Sequence, residues 1–307
     1  MPFIPGGLAS HPSLSPGVNR MRRTLLAISS FVGVLVTPLS AATVKTEAET
    51  SADADFCKGC EALVELVLAN PSRKDDRARD VHRHPAETLA FFRIRPDMKV
   101  GEYAPGGGWY SRVLGPYLAR EGHLAGLFFN PKGGPFDAAK VNAEAAGFAG
   151  RVAGWTGLPP TNFSGMTLEN IPDAEKGTYD RIVVVRMMHN LMRWNIADSE
   201  IKAMRTLLKD DGLIGIVQHR AKAGAPWSYA DGSHGYLREA DLVKFMEAHG
   251  FALVDRSEIN ANPKDSANWP EGVWTLPPTF ALKEQEEAKY EAIGESDRMT
   301  LLFRKTD

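Results

Sequence analysis

The chain has 307 residues, of which 43% are hydrophobic and 24% are charged, as in an ordinary globular protein. A formal net charge of −2 provides no basic footprint for nucleic acid or for an anionic membrane surface. A small molecule or a protein is therefore the expected substrate class, and nucleic acid is not expected as a partner. The composition does not predict an oligomeric state.

The first 42 residues predict an export signal. Basic residues at 20–23 precede an apolar run at 25–36, and small residues at 41–42 provide a cleavage site. The apolar run is shorter than the roughly 20 residues that a membrane span needs, so no span is expected after cleavage. Met21 is a possible true start. We expect a periplasmic or secreted protein, exported unfolded or, because two arginines are adjacent, by the twin-arginine route.

Residues 43–70 predict a polar linker followed by an amphipathic helix at 61–69, ahead of a main domain at 71–307. Cys57 and Cys60 are the only cysteines. A local disulfide is the favoured interpretation in an oxidising compartment, and a redox pair or half of a zinc site are the alternatives.

A charged segment lies ahead of the main alternating pattern. Pro85 fits the first turn of a helix that continues to about residue 92. Arg77, Asp80, Arg83 and His84 precede it, and this cluster could hold an anionic substrate. A salt-bridged surface segment is the interpretation that we favour.

The most informative motif is a strand that runs into an acid and a glycine-rich loop. Residues 99–103 form the strand, Glu102 is the acid, and an aromatic segment follows the loop. Glycines there let a ligand approach the backbone, and the helix start behind them offers free N–H groups, although a plain tight turn is the alternative. The candidate binding residues of the loop are Pro105, Gly106, Gly107, Gly108, Trp109 and Tyr110.

Strand and helix patterns alternate through the rest of the chain, which predicts a parallel sheet with helices on both faces. Strands are predicted at 99–103, 122–129, 151–155 or 166–169, 181–185, 213–218, 251–257 and 299–304, and helices at 109–120, 136–146, 199–208 and 239–249.

The order of these parts resembles the class I S-adenosylmethionine-dependent methyltransferases. Glu102, Gly106 and Gly108 match the acid and two glycines of that superfamily, and Tyr179-Asp180 matches its residues before strand four. Segments such as Arg83-His84-Pro85 resemble an exported "predicted methyltransferase" group. The resemblance implies a Rossmann-like sheet of seven strands whose last strand is antiparallel and lies between strands five and six. It also implies S-adenosylmethionine as the cofactor.

Three positions depart from the superfamily pattern. Ala104 replaces the first glycine, and Phe128 stands where an acid usually holds the ribose hydroxyls. Asn130 is the nearest polar substitute on the same face, and Thr167 stands where an acid usually receives the adenine amine. We nevertheless expect Asn130 and Thr167 to complete the cofactor site.

Candidate catalytic residues follow strands four and five, because ligands of open α/β sheets bind at the carboxyl ends of the strands. Arg186, His189 and His219 are the candidates, with a histidine as the base for an acceptor that loses a proton. Structural histidines, or a metal set completed by His234, are the alternatives.

Aromatic residues and two irregular segments complete the predicted site. Trp109, Tyr110 and Trp155 could stack on a purine or pack in the core. Segments 260–265 and 272–278 are long and irregular, and they could cover the site or only the sheet edge.

The sequence thus predicts a methyltransferase that acts on a small-molecule or envelope acceptor. The missing ribose acid leaves open a related protein that does not bind the donor. Such a protein would do other acid/base chemistry or act as a periplasmic binding protein.

Overall fold

The structure is a computed structural model that describes residue 57 and residues 59–306. The predicted export signal and most of the predicted linker lie outside the described residues. All of the described residues belong to one compact unit, Ala48–Asp307.

Seven strands form one sheet. They are β1 (Lys99–Tyr103), β2 (His123–Phe128), β3 (Phe163–Thr167), β4 (Tyr179–Val185), β5 (Leu208–His219), β6 (Phe251–Ser257) and β7 (Arg298–Lys305).

The helices lie between these strands and ahead of the first. They are α1 (Cys60–Leu68), α2 (Asp80–Arg83), α3 (Pro85–Phe91), α4 (Ser111–Leu118), α5 (Ala138–Thr156), α6 (Met188–Arg193), α7 (Ala197–Leu207), α8 (Trp227–Ala230), α9 (Glu239–Ala248) and α10 (Glu287–Ile293). Within residues 59–306, none is long and apolar enough to cross a membrane.

The strand order is β3-β2-β1-β4-β5-β7-β6. Neighbours from β3 to β5 pair in parallel, whereas β7 pairs antiparallel with both β5 and β6. The insertion of an antiparallel last strand between the fifth and sixth confirms the sheet that the class I methyltransferase resemblance implied. The carboxyl ends of β1, β4 and β5 therefore lie side by side at one edge.

The third strand is where the prediction was least accurate. Residues 151–155, one of the two predicted locations, belong to α5, which begins at an Asp137 cap and ends before Gly157 at φ 72°. Capping at both ends explains why this helix extends ten residues beyond its predicted end. β3 includes Gly165, where a Cβ atom would collide with the carbonyl oxygen of Ala145. Close packing against α5 thus requires glycine at this position. Because glycine is rare in strands, the sequence of β3 does not have a strand pattern.

Both faces of the sheet are covered by buried hydrophobic clusters. In β4, Ile182 and Val184 belong to one cluster and Val183 belongs to the other, as expected for a strand buried on both faces. Val64 and Val67 of α1 pack into the second cluster. The helix predicted as part of a leading segment is therefore packed on the sheet domain.

Candidate functional site

The glycine-rich loop turns sharply after β1. Its backbone has positive φ at Ala104 (49°), Gly106 (56°) and Gly108 (76°). Ala104 replaces a superfamily glycine yet keeps the left-handed conformation that glycine favours, so the turn survives the substitution. Gly107 borders the site, and a Cβ atom added there would meet no described atom within 4 Å. The loop leaves open space at Gly107.

A cavity of about 450 Å³ lies at the carboxyl ends of β1, β4 and β5. It brings together most of the residues that the sequence predicted, although the predictions placed them in separate motifs. The predicted residues that line it are Glu102, Pro105, Gly106, Gly107, Trp109, Tyr110, Arg186, His189 and His219.

A second cavity of about 520 Å³ lies beside the first and shares Ala104, Gly106 and Met187 with it. Its wall is aromatic. The ring of Phe129 stacks on Phe136 with centroids 4.6 Å apart, and the ring of Trp194 meets Phe136 edge-on at 5.2 Å. These residues were not predicted, because no motif distinguishes them from core aromatics. They provide a surface on which a planar ring can stack.

Arginines pack against Trp109 and Trp155, two of the three aromatic residues for which stacking on a purine or core packing was predicted. Trp109 is 8% exposed, and the guanidinium carbon of Arg83 lies 4.7 Å from the centroid of its ring. The guanidinium carbon of Arg112 lies 5.1 Å from the centroid of the Trp155 ring. The Trp155 ring occupies the space that a Cβ atom at Gly108 would need. Trp155 lines neither cavity, so it is a packing residue of the loop.

Asn130 and Thr167 line neither of the two cavities. The side-chain oxygen of Asn130 accepts a hydrogen bond from Lys132 N at 2.9 Å, so this side chain stabilises a local turn of the backbone. Phe128 is buried against Phe148, with ring centroids 6.0 Å apart. The predicted substitutes for the ribose and adenine acids therefore do not reach either cavity in this structure.

Carboxylates do border the aromatic cavity, but from another element. Asp137 and Glu144 of the α5 region line it. Asp137 caps α5 by accepting from Lys140 N at 3.2 Å and is otherwise exposed. The sequence analysis did not single out Asp137, because it follows β2 by nine residues instead of ending it.

Glu102 is buried at the end of β1. The hydroxyl of Ser111 donates to its carboxylate at 2.6 Å. Burial nevertheless raises the pKa of Glu102 to about 8. At neutral pH this side chain is therefore mostly a neutral acid that can donate a hydrogen bond into the cavity.

His189 is 4% exposed and is held by Gln218 of β5. The Gln218 amide nitrogen donates to Gly235 O at 2.9 Å, and its oxygen accepts from His189 N at 3.3 Å. His189 Nδ1 lies 3.3 Å from both the oxygen and the nitrogen of the Gln218 amide, so this amide fixes the orientation of the imidazole ring. Burial lowers the pKa of His189 to about 4. The imidazole is therefore neutral at neutral pH.

His219 lies next to His189, with ring centroids 5.4 Å apart. Its Nδ1 is 2.5 Å from the hydroxyl of Ser296, which also lines the cavity. Burial, followed by the neighbouring His189, holds the pKa of His219 well below its usual value. The near-neutral pKa values that residue type suggests for these two histidines are therefore corrected downward. His234 stacks on Tyr229 instead, and the described residues contain no cluster suited to a metal ion.

Arg186 follows β4 in a left-handed conformation with φ 55°. Its backbone N–H donates to Val217 O at 2.6 Å, which ties it to β5. Burial and the nearby Arg83 lower the pKa of Arg186 to about 9, so the side chain is still charged at neutral pH. Its Nε is buried without a hydrogen-bond partner among the described residues.

No motif pointed to Glu295, which is 4% exposed and lines the cavity just before β7. Arg79 donates to it at 2.7 Å, Arg83 at 3.2 Å and Arg298 at 2.9 Å. Burial opposes ionisation of Glu295, but these guanidinium groups overcome it and lower its pKa to about 2. The favoured interpretation of the residue 77–84 cluster, a salt-bridged surface segment, holds for only part of it, because Arg83 is buried.

The two irregular segments have different positions. Val273, Trp274, Pro277 and Pro278 line the first cavity, so segment 272–278 does cover the site. Segment 260–265 does not line this cavity. Its end residues Asn260 and Asp265 are buried, and Asp265 accepts a hydrogen bond from Asp297 N at 2.8 Å.

No model of a known protein family and no curated protein matches the chain. Solved structures that resemble it include a SAM-dependent methyltransferase from Aquifex aeolicus, with 16% identity, a TM-score of 0.45 and coverage of 66% of this chain and 94% of that one. Another is the 1,6-didemethyltoxoflavin-N1-methyltransferase of Burkholderia thailandensis, solved with bound S-adenosylhomocysteine (14% identity, TM-score 0.41, coverage of 87% and 93%). A third is a TehB-like SAM-dependent methyltransferase from Corynebacterium glutamicum (13%, 0.39, 76% and 96%). Identities this low leave the activity of the chain to be argued from its own residues.

Proposed function

We propose that the protein is an S-adenosylmethionine-dependent methyltransferase that acts on a small-molecule or envelope acceptor. One observation carries the proposal: two cavities of different chemistry meet at the glycine-rich loop. One is polar and reaches the histidines, the other is aromatic, and Ala104 and Gly106 border both. An elongated ligand with a purine at one end and an amino-acid group at the other matches this pair.

The residues present fit such a ligand. The aromatic wall at Phe129 and Phe136 suits the purine, and Asp137 provides a carboxylate for ribose hydroxyls. The open side of Gly107 admits the chain that joins the two ends, next to Glu102. When bound, S-adenosylmethionine would supply an electrophilic methyl group on a sulfonium and leave as S-adenosylhomocysteine.

The chain's own contribution would be alignment, exclusion of water and removal of a proton. Trp274 and the two prolines of segment 272–278 cover the cavity. His189 is a neutral base for an acceptor that loses a proton on methylation, and Gln218 fixes the orientation of its ring.

A binding titration tests the proposal. Wild-type protein should bind S-adenosylhomocysteine, and Gly107→Val should weaken binding at least tenfold, because the added side chain enters the open space beside the loop. Gly224→Val is the matched control, since a Cβ there also meets no described atom within 4 Å and Gly224 lines neither cavity. A dissociation constant for S-adenosylhomocysteine above about 1 mM, which corresponds to about −4 kcal/mol, would refute the proposal that S-adenosylmethionine is the methyl donor.

A second function, acid/base chemistry or ligand binding without the donor, is favoured by one specific observation. The end of β2 carries the buried Phe128 in place of a ribose acid. The same titration separates the two proposals. That the protein works in the periplasm or outside the cell remains a proposal, which rests on residues 1–42 and can be tested by fractionating cells that produce the full chain.

A further inference from the structure

Arginine side chains crowd one wall of the first cavity. Arg79, Arg83 and Arg186 all line it. Arg298, which is 3% exposed, donates to Glu295 of the same wall. The ionised carboxylate that faces them is Glu295.

The other acids of this cavity do not balance that charge. Asp76 is occupied by Arg112, whose Nε and Nη2 donate to its two oxygens at 2.6 and 2.7 Å. Glu102 is mostly protonated at neutral pH, because burial raises its pKa to about 8. The wall therefore keeps an excess of positive charge in a buried setting, where charges usually come paired.

The arginines also have hydrogen-bond donors to spare. Arg83 Nη2, Arg79 Nη2 and Arg186 Nε are buried and have no partner among residues 59–306. Arg83 as a whole is 2% exposed. A buried guanidinium cannot shed its charge to escape this situation, so its free donors need an acceptor from outside the chain.

This wall is held in place by the rest of the fold. Arg83 binds both oxygens of Glu295 and lies over Trp109, which fixes its guanidinium plane. Asn262 donates to the carbonyl oxygens of Ile293 and Glu295 at 2.8 and 2.6 Å, which holds the segment that carries Glu295. The donors are thus preorganised before any ligand arrives.

We infer that this wall binds an oxyanion group, a carboxylate or phosphate, of the methyl acceptor. Planar guanidinium groups recognise both anions through paired hydrogen bonds. His189 and His219 line the same cavity and are neutral, so they add no competing charge and can face the nucleophilic atom of the acceptor. The acceptor role rests on the proposed function. An anionic acceptor would also offset repulsion between a sulfonium and these arginines.

The carboxylate of the donor's own methionine is the other source of such an anion, so the experiment has separate arms. In the first arm, inorganic phosphate is titrated into wild-type, Arg186→Gln and Arg256→Gln proteins at constant ionic strength, and binding is followed calorimetrically. Arg186→Gln is chosen because it breaks no side-chain hydrogen bond seen within the described residues. Arg256, 61% exposed and outside the cavity, is the control.

We expect one phosphate site per chain, a loss of affinity of at least tenfold in Arg186→Gln and no change in Arg256→Gln. In the second arm the titration is repeated with saturating S-adenosylhomocysteine, and phosphate should still bind. In the third arm, Arg186→Gln should bind S-adenosylhomocysteine and methylthioadenosine, which lacks the carboxylate, as the wild type does.

Absence of phosphate binding, or equal binding by Arg186→Gln, would overturn the inference. A tenfold loss of affinity of Arg186→Gln for S-adenosylhomocysteine but not for methylthioadenosine would overturn the inference. It would mean that the wall binds the carboxylate of the donor and not the acceptor. If phosphate binds as expected while neither nucleoside binds, the anion site stands and the proposed methyl donor fails.

Discussion

The hydroxyl of Tyr103, at the end of β1, donates to the fully buried carboxylate of Glu200 in α7 at 2.8 Å. The second oxygen of Glu200 accepts from the backbone N–H of Asn130 at 3.0 Å. One helix side chain therefore ties the end of β1 to the segment that follows β2. The loop after β1 borders both cavities, and the segment after β2 borders the second one.

We expect Glu200→Ala to destabilise the fold, because it leaves the buried Tyr103 hydroxyl and the Asn130 N–H without their acceptor. Each unsatisfied group costs about 1–3 kcal/mol. Urea unfolding measures the loss. Glu200→Gln keeps one oxygen and nearly the same volume, so it should lose clearly less, and equal losses for the two variants would contradict this role for the hydrogen bonds.

Glu102 should make stability depend on pH. Its pKa is raised to about 8 in the folded state, so between about pH 4.5 and 8 the folded protein keeps a proton that the unfolded chain has released. Stability should therefore fall as pH rises through this window, by an amount on the order of a few kcal/mol. Glu102→Gln should remove this component. Unfolding free energies of both proteins at pH 5, 7 and 9 test it, and parallel curves would count against a protonated Glu102.

His189 should affect the pH dependence of stability in the opposite direction from Glu102, and at lower pH. Its folded pKa of about 4 lies below the usual 6.5, so between these values the unfolded chain binds a proton that the folded protein excludes. Stability should be fully present above about pH 6.5 and be lost as pH falls toward 4. His189→Gln should flatten this part of the curve in urea unfolding between pH 4 and 7. An unchanged slope would mean that the histidine is not buried in its neutral form.

Asp137 provides a test of where the ribose lies. Asp137→Asn keeps an oxygen that can cap α5 but loses the carboxylate that suits paired hydroxyls. We expect it to bind S-adenosylhomocysteine and methylthioadenosine about tenfold more weakly, since both contain ribose, while its melting temperature stays close to that of the wild type. Asp173→Asn, at an exposed carboxylate outside the two cavities, is the control. Unchanged nucleoside affinity in Asp137→Asn would remove this residue from the site.

Local patterns were enough to predict much of this protein. Residues 182–185 are apolar and β-branched and are flanked by charged residues, which is typical of a buried strand. The glycines after β1 favour a turn with positive φ. The alternating units predicted a parallel sheet with helices on both faces, whereas the place of the last strand between the fifth and sixth was implied by the resemblance to class I methyltransferases. His189 and His219 were chosen as candidates because they lie at or after the ends of predicted strands, where ligands of open α/β sheets bind.

Other features depend on contacts between residues that are far apart in the chain. Glu295 meets Arg79 and Arg83 across more than 200 residues, and no spacing in the sequence records such a pairing. The pKa values of Glu102 and His189 depart from their usual values because of burial, which is a property of the packed domain and not of the residue type. The sequence by itself determined the strands of the sheet and the glycine-rich loop after β1, since these depend on short-range backbone preferences and on hydrophobic pattern. Only the tertiary structure decided which charges remain unbalanced in the cavity, because that depends on which side chains the fold buries together.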